Sequence, residues 1–161
     1  MIEQADKNDI AIIEEILLDA LTWMKENDLQ NQWSEEGIKW SNLSKDYKIT
    51  DFYIDYQNGV PAGCMAITDL DLKHWFDIPK GRSLYIHKLA VKRDFAGIGI
   101  SKELINFAKD LSIKSGINSL RLDCNLQRKK LRMLYENEGF IYSGKKNSSN
   151  NYDMALYVWH K

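Results

Sequence analysis

The stretch from Leu89 to Ala108, LAVKRDFAGIGISKELINFA, constrains the fold more than any other part of the chain. An apolar, strand-forming run from Ser83 to Val91 leads into it, and Gly97 and Gly99 break that run. Beyond the glycines, Leu104, Ile105, Ala108, Leu111 and Ile113 recur at helical spacing until Gly116 stops the pattern. A strand that feeds a helix through a glycine turn belongs to an α/β architecture. The two glycines let the backbone approach an anion closely, and the helix that follows presents unpaired amides and its positive dipole end. The segment Ala96, Gly97, Ile98, Gly99, Ile100, Ser101 is therefore a candidate phosphate cradle.

The flanking sequence supplies the rest of a mixed α/β sheet. Acid- and amide-rich residues Asp6 to Asp9 offer N-caps ahead of Ile10, Ile13, Leu17, Leu18 and Leu21, so Ile10 to about Glu26 is expected to form an amphipathic helix. A shorter helix is expected over Ser34 to Ser41. Aromatic and β-branched residues alternate from Asp51 to Asp69 and break at Asn58-Gly59, a strong hairpin signal. A polar loop from Leu70 to Arg82 precedes the Ser83 strand. Ser119 to Cys124 reads as a strand and Lys129 to Glu138 as a helix. Gly139-Phe140 opens a strand that pairs with Tyr152 to Trp159 across a polar loop, Lys145 to Asn151. With 161 residues, 44% hydrophobic and 28% charged, and no linker or repeat, the chain is expected to be one domain spanning 1–161.

Charge and cysteine usage remove several functions. A formal net charge of −1 gives no basic surface for nucleic acid. Cys64 and Cys124 lack the spacing of a zinc site or a disulfide scaffold, so no metal is expected and both read as buried thiols. Met1 to Asp9 carries no apolar run and no membrane-length apolar stretch follows, so neither a signal peptide nor a membrane partner is expected, and the expected compartment is the cytoplasm.

The glycine turn alone fits several ligands. A Walker loop is excluded because no Gly-Lys-Ser/Thr follows. Gly97-x-Gly99 with Asp123 downstream imitates a dinucleotide fingerprint, but Lys102 stands where its third glycine belongs and the turn comes too late to leave enough strands. Three blocks then occur in order: YIHKLAV (Tyr85 to Val91) with FAGIGIS (Phe95 to Ser101), LRLDC (Leu120 to Cys124), and LYENEGF (Leu134 to Phe140). They resemble the GNAT superfamily of acyl-CoA-dependent N-acetyltransferases over nearly the whole chain. The resemblance implies a mostly antiparallel central sheet, splayed between its fourth and fifth strands, with helices on both faces.

It also implies a site. Leu89, Ala90 and Val91 would hold the pantetheine arm of acetyl-CoA, and the amides of Ala96 to Ser101 its pyrophosphate. Ala96 replaces the family's Gln/Arg and Ser101 its final Gly/Ala. Arg128 replaces an asparagine seven residues before the family's tyrosine, where a guanidinium could meet a phosphate. Tyr135 matches the family's proton donor to the leaving thiolate, and a backbone N–H of the strand, that of Leu89, would meet the oxyanion.

Attack on a thioester needs a neutral amine, and deprotonating an alkyl ammonium at neutral pH costs roughly 4.6 kcal/mol. His87 has suitable chemistry because an imidazole titrates near pH 6.5 and is largely neutral at pH 7. Some members of the resembled family use histidine at the matching strand position. Trp23, Trp33, Trp40, Trp75 and Tyr152, with Asp69, Asp71 and Asp77, fall in the segments that build the acceptor pocket in that family. Aromatic faces with acids suit a cationic amine, so a small-molecule primary amine is the expected acceptor. A protein or peptide acceptor, and an acetyl-CoA sensor without transfer, are the competing readings. Dimers are frequent in the resembled family.

Overall fold

The computed structural model describes residues 1–29, 31–147 and 152–161. Among the described residues seven strands form one sheet: β1 (Ile2–Gln4), β2 (Phe52–Gln57), β3 (Val60–Thr68), β4 (Leu84–Val91), β5 (Ser119–Asn125), β6 (Ile141–Asn147) and β7 (Asp153–His160). Their order is β1-β2-β3-β4-β5-β7-β6. The sheet is mostly antiparallel, and its parallel pair is β4 with β5. The helices are α1 (Ile10–Glu26), α2 (Trp40–Leu43), α3 (Ile100–Lys114) and α4 (Lys129–Asn137). No helix among the described residues is long and apolar enough to cross a membrane. The chain divides into two compact units, with the boundaries falling inside β3, β4 and α3.

The first unit comprises Met1–Ile67 and His87–Phe107. Helix α1 has the bounds its periodicity predicts, entered through a 3-10 turn that Asp6 caps by accepting the Asn8 amide at 2.6 Å. Its buried stripe is Ile13, Ile16, Leu17, Leu21 and Met24, whereas Leu18 points out at 45% exposure. That stripe joins Phe52, Ile54, Cys64, Ala66 and Ala90 in one core. The β2–β3 turn is the two-residue loop the sequence predicts, with positive φ at both Asn58 and Gly59.

Two local features depart from expectation or lie beyond it. Of the helix expected over Ser34 to Ser41, only Trp40 and Ser41 lie in one, the short α2, Trp40–Leu43. Ser34 Oγ accepts the Gly37 amide at 3.0 Å, an N-cap bond that opens a single turn, but Lys39 is extended (ψ 145°) and ends it; the Trp40 amide is accepted by Glu14 Oε1 at 2.6 Å. Gly63 on β3 is required for a different reason: an added Cβ would sit 2.8 Å from the Ala90 carbonyl oxygen and 3.0 Å from Ile100 Cγ2. Only a residue without a side chain lets α3 settle that close to the strand.

The second unit comprises Thr68–Ile86 and Ala108–Lys161. Here the start of β4 pairs in parallel with β5, Leu84 with Leu120 and Tyr85 with Arg121. The β5–β7 ladder runs the length of β5, from Ser119 opposite His160 to Asn125 opposite Met154. Strand β6 begins at Ile141 because Gly139, at φ +82°, ends the α4 turn first. It continues to Asn147, so Lys145 and Lys146, which the sequence assigns to a loop, pair with Ala155 and Met154 instead. The apolar face of β7 supplies the register that their own polarity does not. The remainder of the predicted loop, 148–151, lies outside the described residues.

Candidate active site

The glycine loop belongs wholly to the first unit. Strand β4 carries Lys88 at φ +52°, an unusual conformation for lysine that bends the strand just before Leu89, Ala90 and Val91. The Lys92 amide returns to β3 by donating to the Ala62 carbonyl at 2.8 Å. A 3-10 turn, Arg93–Phe95, then delivers the chain to Ala96. Gly97 and Gly99 have φ of +80° and +97°, and a Cβ at either would meet nothing within 4 Å. Backbone conformation, then, and not crowding, selects glycine at both.

Ala96, Gly97, Ile98 and Gly99 are exposed, and no acceptor among the described residues takes the amides of Gly97, Ile98 or Gly99. The first hydrogen bond of α3 runs from the Glu103 amide to the Gly99 carbonyl at 3.0 Å. Ile100 is buried beneath the turn while Ser101 is half-buried. A row of open amides at the start of a fifteen-residue helix is an arrangement that can accept an anion.

Helix α1 holds this loop from below. Asp19 Oδ2 accepts the Arg93 amide at 2.8 Å, and Lys92 pairs with Glu15 at 2.5 Å. The hydrogen bond from Lys92 to Glu15 raises the lysine's pKa, keeping it charged. The Arg93 guanidinium lies over the Trp23 ring. Trp23 thus has a packing role, and Trp40 is likewise set edge-on against Phe52. Trp33 lies under the Lys88 ammonium, 5.3 Å from ring centroid to nitrogen. His87, half-buried on β4, has its ring 5.5 Å from that of Tyr47.

Tyr135 lies in the second unit and is the buried residue of α4. Its ring packs against Phe140 and Tyr157, each 6.1 Å away between centroids. Tyr157 is in turn held by Arg132, whose Nε donates to its hydroxyl at 2.9 Å, and it donates to Glu136 at 2.6 Å. Burial pushes the Tyr135 phenol well above its ordinary value, reinforced by Cys124 and Asp123 and opposed by Arg128. The group is therefore a held proton, not a phenolate. Arg128 stands at the N-cap position of α4 without a side-chain cap hydrogen bond, half-buried and within electrostatic reach of Tyr135 and Cys124, and its own burial lowers its pKa. Burial pushes the Cys124 thiol up to about 12.

Sequence reasoning passed over His74. The Asp71 carboxylate fixes the loop after β3 by accepting the Lys73 and His74 amides at 2.9 and 3.0 Å. His74 Nδ1 then stands 3.4 Å from Asp71 and 3.5 Å from Asp123. Arg121, two residues before Asp123 on β5, lies over the ring of Trp75. The spacing Asp71-x-x-His74 was the available signal, but its partner Asp123 is remote in sequence. Of the other predicted acceptor groups, Asp69 pairs with Lys80 at the surface, Asp77 is exposed, and Tyr152 is half-buried.

A strand feeding a helix through a glycine turn, within a mixed sheet, is an arrangement of the α/β class. Within that class, the chain belongs to the acetyltransferase (GNAT) family, a family of acetyl-CoA-dependent N-acetyltransferases, which it matches over residues 12–140. It is 30% identical over 79 residues to the uncharacterized N-acetyltransferase YesJ of Bacillus subtilis (strain 168); that stretch is 49% of this chain and 44% of the relative, under half of its length. An acetyltransferase of the GNAT family from Listeria monocytogenes 4b F2365 superposes with a TM-score of 0.75 at 27% identity, over 100% of this chain and 94% of the other. The PaiA N-acetyltransferase from Thermoplasma acidophilum, solved in complex with coenzyme A, shares the fold with a TM-score of 0.76 at 14% identity, over 100% and 98% of the two chains. The mixed fold and the family expected from the three sequence blocks are both borne out.

Proposed function

We propose that the protein transfers an acetyl group from acetyl-CoA to the primary amine of a small-molecule acceptor by direct attack on the thioester, with residues 1–161 acting as one catalytic domain. The observation that carries the reading is the glycine loop: open amides from Gly97 to Gly99, both glycines at positive φ, at the start of α3. The family match, which runs across both compact units, supports the same chemistry.

In this reading the pantetheine arm lies along Leu89, Ala90 and Val91, and the pyrophosphate sits on the amides of Ala96, Gly97, Ile98, Gly99, Ile100 and Ser101. Arg128 supplies a further cofactor contact. His87 takes the ammonium proton through a water, leaving the amine lone pair free to attack the carbonyl carbon. The C–N bond forms and the Leu89 amide meets the oxyanion. The C–S bond then breaks and the thiolate receives the Tyr135 proton, while the second proton leaves the amide nitrogen and restores the Tyr135 phenol through solvent. The raised pKa of Tyr135 means that it stands protonated at neutral pH, the form that carries a proton to give. No step calls on a metal.

An acetyl-CoA titration followed by thiol release over a panel of amines tests the reading. Micromolar cofactor binding with thiol release on at least one small amine is the expected result. Absence of cofactor binding would refute the site, and binding without release on any amine would leave a sensor.

A further inference from the structure

Four buried polar atoms of the second unit fall together. Trp75 Nε1, Arg121 Nε, Asn125 Nδ2 and His74 Nε2 are buried and have no hydrogen-bond partner among the described residues. All four belong to the second unit. Arg121, Asp123 and Asn125 alternate along β5 and so share one face of that strand. The loop carrying Asp71, His74 and Trp75 packs on that face through the His74–Asp123 and Trp75–Arg121 contacts. Trp75 and Asn125 are each only 5% exposed. The Asn125 oxygen is already engaged by the Gln127 amide at 2.9 Å, so its unused atoms are donors.

This layer has a definite polarity. Asp71 and Asp123 flank His74 Nδ1 at 3.4 and 3.5 Å. Two carboxylates beside an imidazole suit an ammonium. Trp75, Arg121 and Asn125 offer donors alone, and buried donors in native proteins are met by a protein acceptor, an ordered water or a ligand.

We infer that Asp71, His74 and Asp123 bind the ammonium of the acceptor, while Trp75, Arg121 and Asn125 select a small amine that also carries hydroxyl or carbonyl groups. The inference rests on the transfer reading above and names its substrate class. Arylalkylamines leave the three donors unmet, and polyamines place further cations beside Arg121.

The test compares ethanolamine and glycinamide with spermidine and 2-phenylethylamine as acceptors, in the wild-type chain and in Asp71→Asn, His74→Gln and Asp123→Asn. Asp71→Asn keeps an oxygen for the two loop amides, so it preserves the fold of the loop. The oxygen-bearing amines are expected to have the higher kcat/KM. Each variant is expected to raise their KM about tenfold or more with little change in kcat, because a charge-assisted contact to bound substrate is lost. Acetyl-CoA affinity, measured on the same preparations, is expected to be unchanged. Unaltered amine KM in the variants, equal loss of acetyl-CoA affinity, or preference for spermidine or 2-phenylethylamine would overturn the inference. So would a zinc requirement, which would make the cluster a metal centre. A wild-type chain that releases no thiol fails the transfer reading by itself. Calorimetric binding of the same amines to wild type and Asp71→Asn then decides the ammonium site separately.

Discussion

The Arg93 guanidinium carbon lies 3.9 Å from the centroid of the Trp23 ring, while the Arg93 backbone amide donates to Asp19. Both partners come from α1, so the helix that forms the first unit's core also sets where the glycine loop begins. Asp19→Ala removes the amide's acceptor, a loss of about 0.5–1.5 kcal/mol. The expected outcome is a several-fold weaker acetyl-CoA affinity by titration calorimetry, with a small drop in thermal midpoint.

Gly99 has φ of +97° in open space, so a side chain there is strained by its backbone and not by a neighbour. Gly99→Val should therefore reshape the loop. Acetyl-CoA Kd is expected to rise by at least about tenfold, given a strain of order 1–3 kcal/mol. An unchanged Kd would place the phosphates elsewhere.

Tyr135→Phe retains the ring that packs against Phe140 and Tyr157 and deletes only the hydroxyl. Proton transfer by a positioned group contributes about 10²–10⁴-fold, so kcat is expected to fall by about a hundredfold. Acetyl-CoA affinity should stay as in wild type. Single-turnover thiol release equal to that of wild type would remove Tyr135 from the acid role.

Alkaline pH should unfold the protein through its buried thiols. Burial raises Cys124 from an ordinary value near 9 to about 12 and raises Cys64 as well. Above pH 9 the unfolded chain gives up these protons and the folded chain does not. Stability is thus fully present below pH 9 and is lost as pH rises through about 12. A thermal midpoint that declines across this window in wild type, and less steeply in Cys124→Ala, is expected from calorimetry at successive pH values.

What the sequence made legible was local. The limits of α1 followed from its apolar period, and the β2–β3 turn from Asn58-Gly59. The glycine loop was readable because strand, turn and helix lie in one continuous segment. Features set by distant partners were not readable. The start of α2 at Trp40 is met by Glu14, which reaches that amide across 26 positions. The extension of β6 through Lys145 and Lys146 depends on β7.

The same reasoning explains the His74 cluster. His74 by itself resembles a loop histidine, and Asp123 a polar residue of an alternating strand; only the fold brings them to 3.5 Å. Lys88 at φ +52° is a further case, since lysine carries no local preference for that conformation. Nothing in YIHKLAV marks it.

Gly63 extends the consequences beyond residues that could touch a ligand. Because its missing side chain fixes how near α3 approaches β3, it acts as a spacer for the whole helix N-terminus, and with it for the height of the open amides. A single methyl group at this position would lift Ile100 and Leu104 together. On the proposed reading, a change beneath the sheet's surface would therefore alter cofactor affinity by thickness alone, with every residue of the glycine loop left untouched.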